Sequence, residues 1–218
     1  MSDAKFKRPK EQAYQDACDL RGLFHAEHFS RWEFGGSLRR GVSLVGDVEH
    51  VVIANSIEVN IDGGLFGQTQ AVNGMCYHLD RLVADKKLAK HLYGTTGYRW
   101  GEKYRGVDFR GFNHEFFLCT ESNWGPTLAI RTGPAEFSQR LVVGLLKNGM
   151  RQHEGMVWRC DRCEVCSGDR STACSDCNST GLTPREVIPC TTEQSYFELC
   201  GIKMIPPQAR QSVPPARD

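Results

Sequence analysis

The sequence has no excess of one charge. Lys and Arg total 27 and Asp and Glu 26 in 218 residues, so bulk positive charge of the kind that coats nucleic acid is excluded. Long apolar runs are also absent. The longest aliphatic stretch is Val51–Ala54, far below the roughly 20 residues that span a bilayer. The first ten residues are charged and lack the apolar core of a secretory leader. No internal repeat is visible. These absences predict a soluble, cytoplasmic protein (of the host cytoplasm if viral) with no membrane partner. A composition of 40% hydrophobic and 24% charged residues predicts a folded chain.

Cysteine is plentiful and unevenly placed. Of ten, five fall between Cys160 and Cys177, and the rest are scattered. A disulfide-stapled secreted domain spreads its cysteines over a smaller chain, so the cluster reads as a metal site. Two Cys-x-x-Cys units, Cys163/Cys166 and Cys174/Cys177, each supply two thiolates to one tetrahedral zinc, with Gly168 and Gly181 permitting tight turns. Cys160 is an alternate ligand. The expected role is structural, the ion stapling an insertion at 158–182. A nucleic-acid contact through Arg159, Arg162, Arg170 and Arg185 is the other possibility.

Apolar spacing predicts helices over Lys10–His28, Leu79–Leu92, Phe137–Leu146 and Glu193–Leu199, and strands over Val48–Ile53 and Glu115–Cys119. A Pro-rich tail follows. Trp124 is expected to pack in the core, and the pair His25/His28 to serve packing or surface. This alternation predicts an α+β architecture. Charge is segregated: residues 41–80 hold five acids and no Lys or Arg, whereas 81–110 hold eight basic residues against three acidic. An acidic metal-binding patch beside an anion-facing surface has that pattern.

Asp47 and Glu49 stand two apart at the start of an apolar strand, so both carboxylates point to one face, where their mutual repulsion favours a divalent cation such as Mg²⁺ or Mn²⁺. Ten residues before Asp47, Gly36-Ser37 forms a turn suited to a phosphate, with Arg39 or Arg40 to balance its charge.

Gly36-Ser-Leu-Arg-Arg leading to Gly46-Asp-Val-Glu resembles the signature of the polymerase-beta-like (family X) nucleotidyltransferases. Asn123-Trp-Gly125 with Arg131-Thr-Gly133, and the C-terminal blocks 192–201 and 205–210, resemble further segments in the family's order, most like its short, phage-type members. The resemblance implies a palm with a mixed sheet and flanking helices, then a small thumb-like region carrying the zinc knuckle. Its expected divisions are an N-terminal helical segment 1–34, a palm 35–130, a thumb-like region 131–210 and a tail 211–218. The 34 residues before Gly35 leave no room for the lyase and fingers regions of larger members.

The resemblance further implies three carboxylates holding two Mg²⁺ (or Mn²⁺) ions: Asp47, Glu49 and, counting back from Trp124, Glu115, with Asp108 as competitor. The family usually has Asp at all three positions. Gly36, Ser37, Arg39 and Arg40 would hold the phosphates of an NTP or dNTP, and Thr132-Gly133 would turn against its sugar. Arg131 stands where many members have an aromatic, which leaves sugar selectivity open. The implied reaction is transfer of a nucleoside monophosphate to a hydroxyl, of a DNA primer or primer-template, with release of pyrophosphate. The alternatives are a non-DNA acceptor (RNA, protein or small molecule) and a non-enzymatic, zinc-containing nucleic-acid-binding module.

Overall fold

The computed structural model describes residues 6–60, 68–169, 173–177 and 179–210. The expected tail at 211–218 and Arg170 lie outside them. The chain divides into two compact units, residues 1–120 and 121–218. The division falls ten residues before the expected palm boundary at 130. The expected N-terminal segment is part of the first unit.

The first unit begins with β1 (Arg8–Pro9) and α1 (Lys10–Arg21), where Ala13, Ala17 and Leu20 bury one face. Helix α1 stops before Gly22; a separate 3₁₀ turn, Ala26–His28, completes the stretch expected as one helix. Then come β2 (Phe29–Phe34), α2 (Gly36–Arg39), β3 (Leu44–Val45), β4 (Val48–Ala54), β5 (Ser56–Asn60) and β6 (Thr69–Asn73). Helix α3 spans Gly74–Ala84, followed by β7 (Ala89–Lys90), β8 (Tyr104–Phe109) and β9 (Phe112–Cys119).

The expected helix 79–92 is thus displaced toward the N-terminus. Asn73 caps α3, its side chain accepting the Cys76 N–H at 2.9 Å, a bond of the kind worth about 1 kcal/mol. The helix ends where Lys86 turns through a positive φ of 58°.

A five-stranded mixed sheet runs in the order β2-β4-β9-β8-β7, with β4 and β9 parallel and the other neighbours antiparallel. Leu20 and Phe24 from the N-terminal segment and Met75, Leu79 and Leu82 from α3 pack with Trp32, Val52, Val107, Phe116 and Leu118 in one core cluster. Side chains alternate along a strand, so this covered face takes His50, Val52, His114 and Phe116, and the opposite face takes Glu49 and Glu115.

A buried polar chain runs through the covered face. The Trp32 indole N–H donates to His50 Nδ1 at 3.1 Å, and His50 Nε2 lies 3.0 Å from His114 Nδ1. The indole can only donate, so His50 carries its proton on Nε2 and gives it to His114. Burial pushes both imidazoles down, His114 to about 4, and holds them neutral.

The second unit contains α4 (Trp124–Thr132), α5 (Ala135–Lys147), the antiparallel sheet β10 (Met150–His153), β11 (Met156–Arg162) and β12 (Leu182–Ile188), and α6 (Glu193–Leu199). Trp124 is fully buried, as expected. Ala129, Phe137, Leu141, Leu145, Val157, Tyr196 and Phe197 form its core. Arg210, also buried, donates to Glu193 Oε1 at 2.7 Å and lies over the rings of Phe137 and Phe197. The C-terminal block is therefore a packing element. Among the described residues, no helix is long and apolar enough to cross a membrane.

Candidate functional site

The parallel pairing of β4 and β9 sets Glu49 directly beside Glu115, and Asp47 immediately precedes β4. The antiparallel pairing of β9 and β8 places Gly106 next in the same row. One line across the sheet thus reads Glu49, Glu115, Gly106. Asp108, the competitor, sits further along β8 opposite Asn113, with its carboxylate on His91 Nδ1 at 2.7 Å. It is committed to that pair and stands outside the row.

Each end of the row is shaped by a glycine. Gly36, with φ +60°, opens α2, and Glu49 packs over it; a Cβ there would sit 2.5 Å from Glu49 Oε2. The Gly35 N–H donates to the Glu49 carbonyl at 2.8 Å, fixing the turn against β4. At the other end the bare Gly106 lets the Tyr93 ring lie close over the strand. The Tyr93 hydroxyl donates to Glu115 Oε1 at 3.2 Å and bonds the Tyr104 hydroxyl. Asn113 Nδ2 donates to the same Glu115 oxygen, also at 3.2 Å. Desolvation pushes both phenols up, Tyr93 to about 12, so both stay protonated donors or acceptors of hydrogen bonds at neutral pH. Tyr93 and Tyr104 were not among the expected site residues.

The structure thus brings Gly36, Glu49 and Glu115 together, with Asp47 adjoining. Ser37, Arg39 and Arg40 follow Gly36 in and after α2, all half-buried. Arg39 lines a cavity of about 340 Å³ with Tyr14, Arg21, Trp32 and Phe34. Asp47, Glu49, Arg39 and Arg40 are all engaged in interactions. The acid oxygens do not converge as a ready-made ligand cage. Among the described residues, only the four cysteines bring three or more Cys, His, Asp or Glu ligand atoms within 4.8 Å of one another. Thr132 ends α4 as a fully buried residue, and Gly133 makes the junction to α5. Both belong to the second unit. His28 is buried against His78, with ring centroids 4.4 Å apart, which fits its expected packing role.

That cysteine cluster is built at the end of the β11–β12 hairpin. Cys163 and Cys174 have sulfurs 3.8 Å apart, and Cys166 and Cys177 3.7 Å. Tetrahedral zinc with Zn–S of about 2.3 Å requires sulfurs about 3.8 Å apart, so the set fits. Two similar turns carry the ligands. Ser167 and Gly168 follow the first pair and Ser179 and Gly181 the second, all with positive φ. The Gly181 N–H donates to Cys177 Sγ at 3.3 Å; it and the neighbouring thiols outweigh the desolvation that raises this thiol, and pull its pKa down.

Cys160, expected as an alternate ligand, is excluded from the set. It lies on β11 with its sulfur 3.5 Å from the Trp158 carbonyl. Three arginines of the described part of the hairpin are engaged within it: Arg159 with Glu186, Arg185 with Asp161, Arg162 with the Ser167 carbonyl. Four cysteines arranged to hold a metal such as zinc are thus part of this protein.

Compared with known proteins, the chain matches no family model and no curated protein.

Proposed function

We propose that this protein is a metal-dependent nucleotidyltransferase that moves a nucleoside monophosphate from an NTP or dNTP to a nucleic-acid 3′-hydroxyl. The observation that carries this reading is the pairing of Glu49 with Glu115 on adjacent parallel strands, with Asp47 adjoining and the Gly36 turn packed under the Glu49 carboxylate. The donor set suits Mg²⁺ or Mn²⁺: three carboxylates and no soft ligand. Asp47, Glu49 and Glu115 would hold such ions, which supply charge neutralisation at the triphosphate and a more acidic attacking hydroxyl.

The chain's own residues do the rest. Ser37 with Arg39 or Arg40, leaving the turn beside Glu49, holds phosphate oxygens through hydroxyl and guanidinium donors. Glu115, steadied by Tyr93 and Asn113, receives the proton of the attacking hydroxyl. The resemblance to family X supports the same assignment. The cysteine quartet acts as a structural zinc staple, since its four sulfurs close a tetrahedral set at the end of the β11–β12 hairpin.

The test is extension of labelled single-stranded and gapped-duplex DNA with each nucleotide in turn, in Mg²⁺ or Mn²⁺. Wild type is expected to extend a primer and Asp47→Ala to lose at least a hundredfold in rate. Equal extension by both would refute the assignment. Transfer to RNA or a protein with none to DNA would redirect the acceptor and leave the site standing.

A further inference from the structure

Between β7 and β8 the chain makes a small hairpin, residues 91–103, which the catalytic reading leaves unused apart from Tyr93. Leu92 and Tyr98 pair across it as bridge partners, and they are 55% and 60% exposed. They form a small apolar pair open to solvent at the hairpin. Two neighbouring rings of the same segment carry cations. Arg99 lies over the Tyr93 ring at 4.5 Å and Lys90 over the Trp100 ring at 4.6 Å. Lys86, Lys87, Arg99 and Lys103 are exposed, and together with Lys90 they make no ion pair among the described residues. Residues 86–105 hold six basic residues and one acid, in a protein whose net charge is +1.

We infer that this hairpin is a contact surface for single-stranded nucleic acid. Unpaired lysines and an arginine take the phosphates, and Tyr98, with Leu92 beside it, presents a face on which an unstacked base can rest. A duplex offers the same phosphates but keeps its base faces stacked on one another, so the exposed Tyr98 ring selects the single strand. Anionic lipid shares the charge, but one leucine and a hydroxylated ring give the protein little apolar area to insert into a bilayer. The surface joins the carboxylate row directly, because Tyr93 belongs to the hairpin and bonds Glu115. The inference rests on the proposed transferase only for the idea that the strand bound here carries the acceptor hydroxyl. Binding itself needs neither nucleotide nor added metal.

The experiment is fluorescence anisotropy of a 5′-fluorescein 20-mer of thymidylate, titrated with the full chain from low to moderate NaCl without nucleotide or Mg²⁺. Tyr98→Ala is expected to weaken binding about 5- to 150-fold with the salt slope unchanged, and Tyr98→Phe to bind as wild type. Arg99→Ala with Lys103→Ala is expected to lower the slope of log K against log salt by about 1.4. These positions are exposed, so the variants keep the wild-type melting temperature. Asp47→Ala is expected to bind like wild type, so a dead active site and a lost binding surface are told apart. Tyr98→Ala binding as tightly as wild type would overturn the inference. So would a duplex that binds as tightly as the single strand, or binding of phosphatidylserine vesicles through these residues without binding of the oligonucleotide.

Discussion

Replacing Gly36 with alanine separates two consequences of one atom. The residue has φ +60°, a region that costs an L-residue about 1–2 kcal/mol. The new Cβ would also sit 2.5 Å from Glu49 Oε2 and 3.2 Å from its Cδ, so the carboxylate must move. Swinging Glu49 off its rotamer adds about 0.5–1.5 kcal/mol. Gly41 supplies the control, with φ +75° and nothing within 4 Å of its own would-be Cβ. Gly41→Ala pays the backbone strain alone and is expected to lose roughly 1–2 kcal/mol, or about 4 °C of melting temperature per kcal/mol. Gly36→Ala is expected to lose roughly 2–3 kcal/mol.

The larger divergence is in activity. A displacement of about 1 Å in a ligand-bearing group costs on the order of a hundredfold in rate, so Gly36→Ala should be nearly inactive in primer extension while Gly41→Ala extends as wild type. Circular dichroism melts and initial extension rates under saturating Mg²⁺ read the two effects apart. Equal rates for the two variants, with Gly36→Ala folded, would refute the placement of Glu49 in the site.

The metal cluster predicts about one zinc per chain by elemental analysis, retained in Cys160→Ser and lost in Cys174→Ser, which unfastens the β11–β12 hairpin and lowers the melting temperature of the second unit. Tyr93→Phe removes the hydroxyl that joins Glu115 to Tyr104; thermal unfolding should show a cost of about 1 kcal/mol, and initial extension rates a fall in transfer. Arg210→Ala leaves Glu193 buried without its cation and should cost about 3–5 kcal/mol in chemical denaturation, most of it recovered in the double variant Arg210→Met/Glu193→Leu. His114 holds a folded pKa of about 4 against 6.5 unfolded, so between those values only the unfolded chain takes up its proton. Its contribution to stability is therefore complete above pH 6.5 and falls by about 3 kcal/mol as the pH drops to 4, with His50, also held low by burial, adding in the same direction; denaturant titrations at stepped pH would show a falling midpoint.

The parts of the site legible in the sequence are those whose signal is local. Asp47 and Glu49 share a face because strands have a period of two, and the apolar run after them identifies the strand. The cysteine cluster announced a metal, but Cys160 stands at Cys-x-x-Cys spacing from Cys163, so spacing left it an alternate ligand and the hairpin geometry selected the four. Helix α3 was misplaced for a local reason too: Leu88 and Leu92 continue an apolar spacing that the chain abandons after Ala84, while the Asn73 cap was the better boundary signal. Tyr93 was invisible because its partner Glu115 lies 22 residues away across a sheet. The one trace it leaves is Gly106, a glycine inside a strand, which marks a close approach.

The histidines carry the longest inference. They show no metal spacing beyond His25/His28, and the sequence gives no hint that His50 and His114 bond each other. Yet each stands beside a site acid, His50 after Glu49 and His114 before Glu115, so each pair of neighbours sends one side chain to each face of the sheet. Slipping β4 by one residue against β9 would turn the carboxylates into the cluster of Trp32, Val52 and Phe116 and take His50 from both its partners. A buried polar chain tolerates no such slip, because every broken bond leaves a donor or acceptor desolvated at about 1–3 kcal/mol. The Trp32–His50–His114 chain therefore fixes the register from the covered side, and the acids on the opposite face inherit their pairing from it.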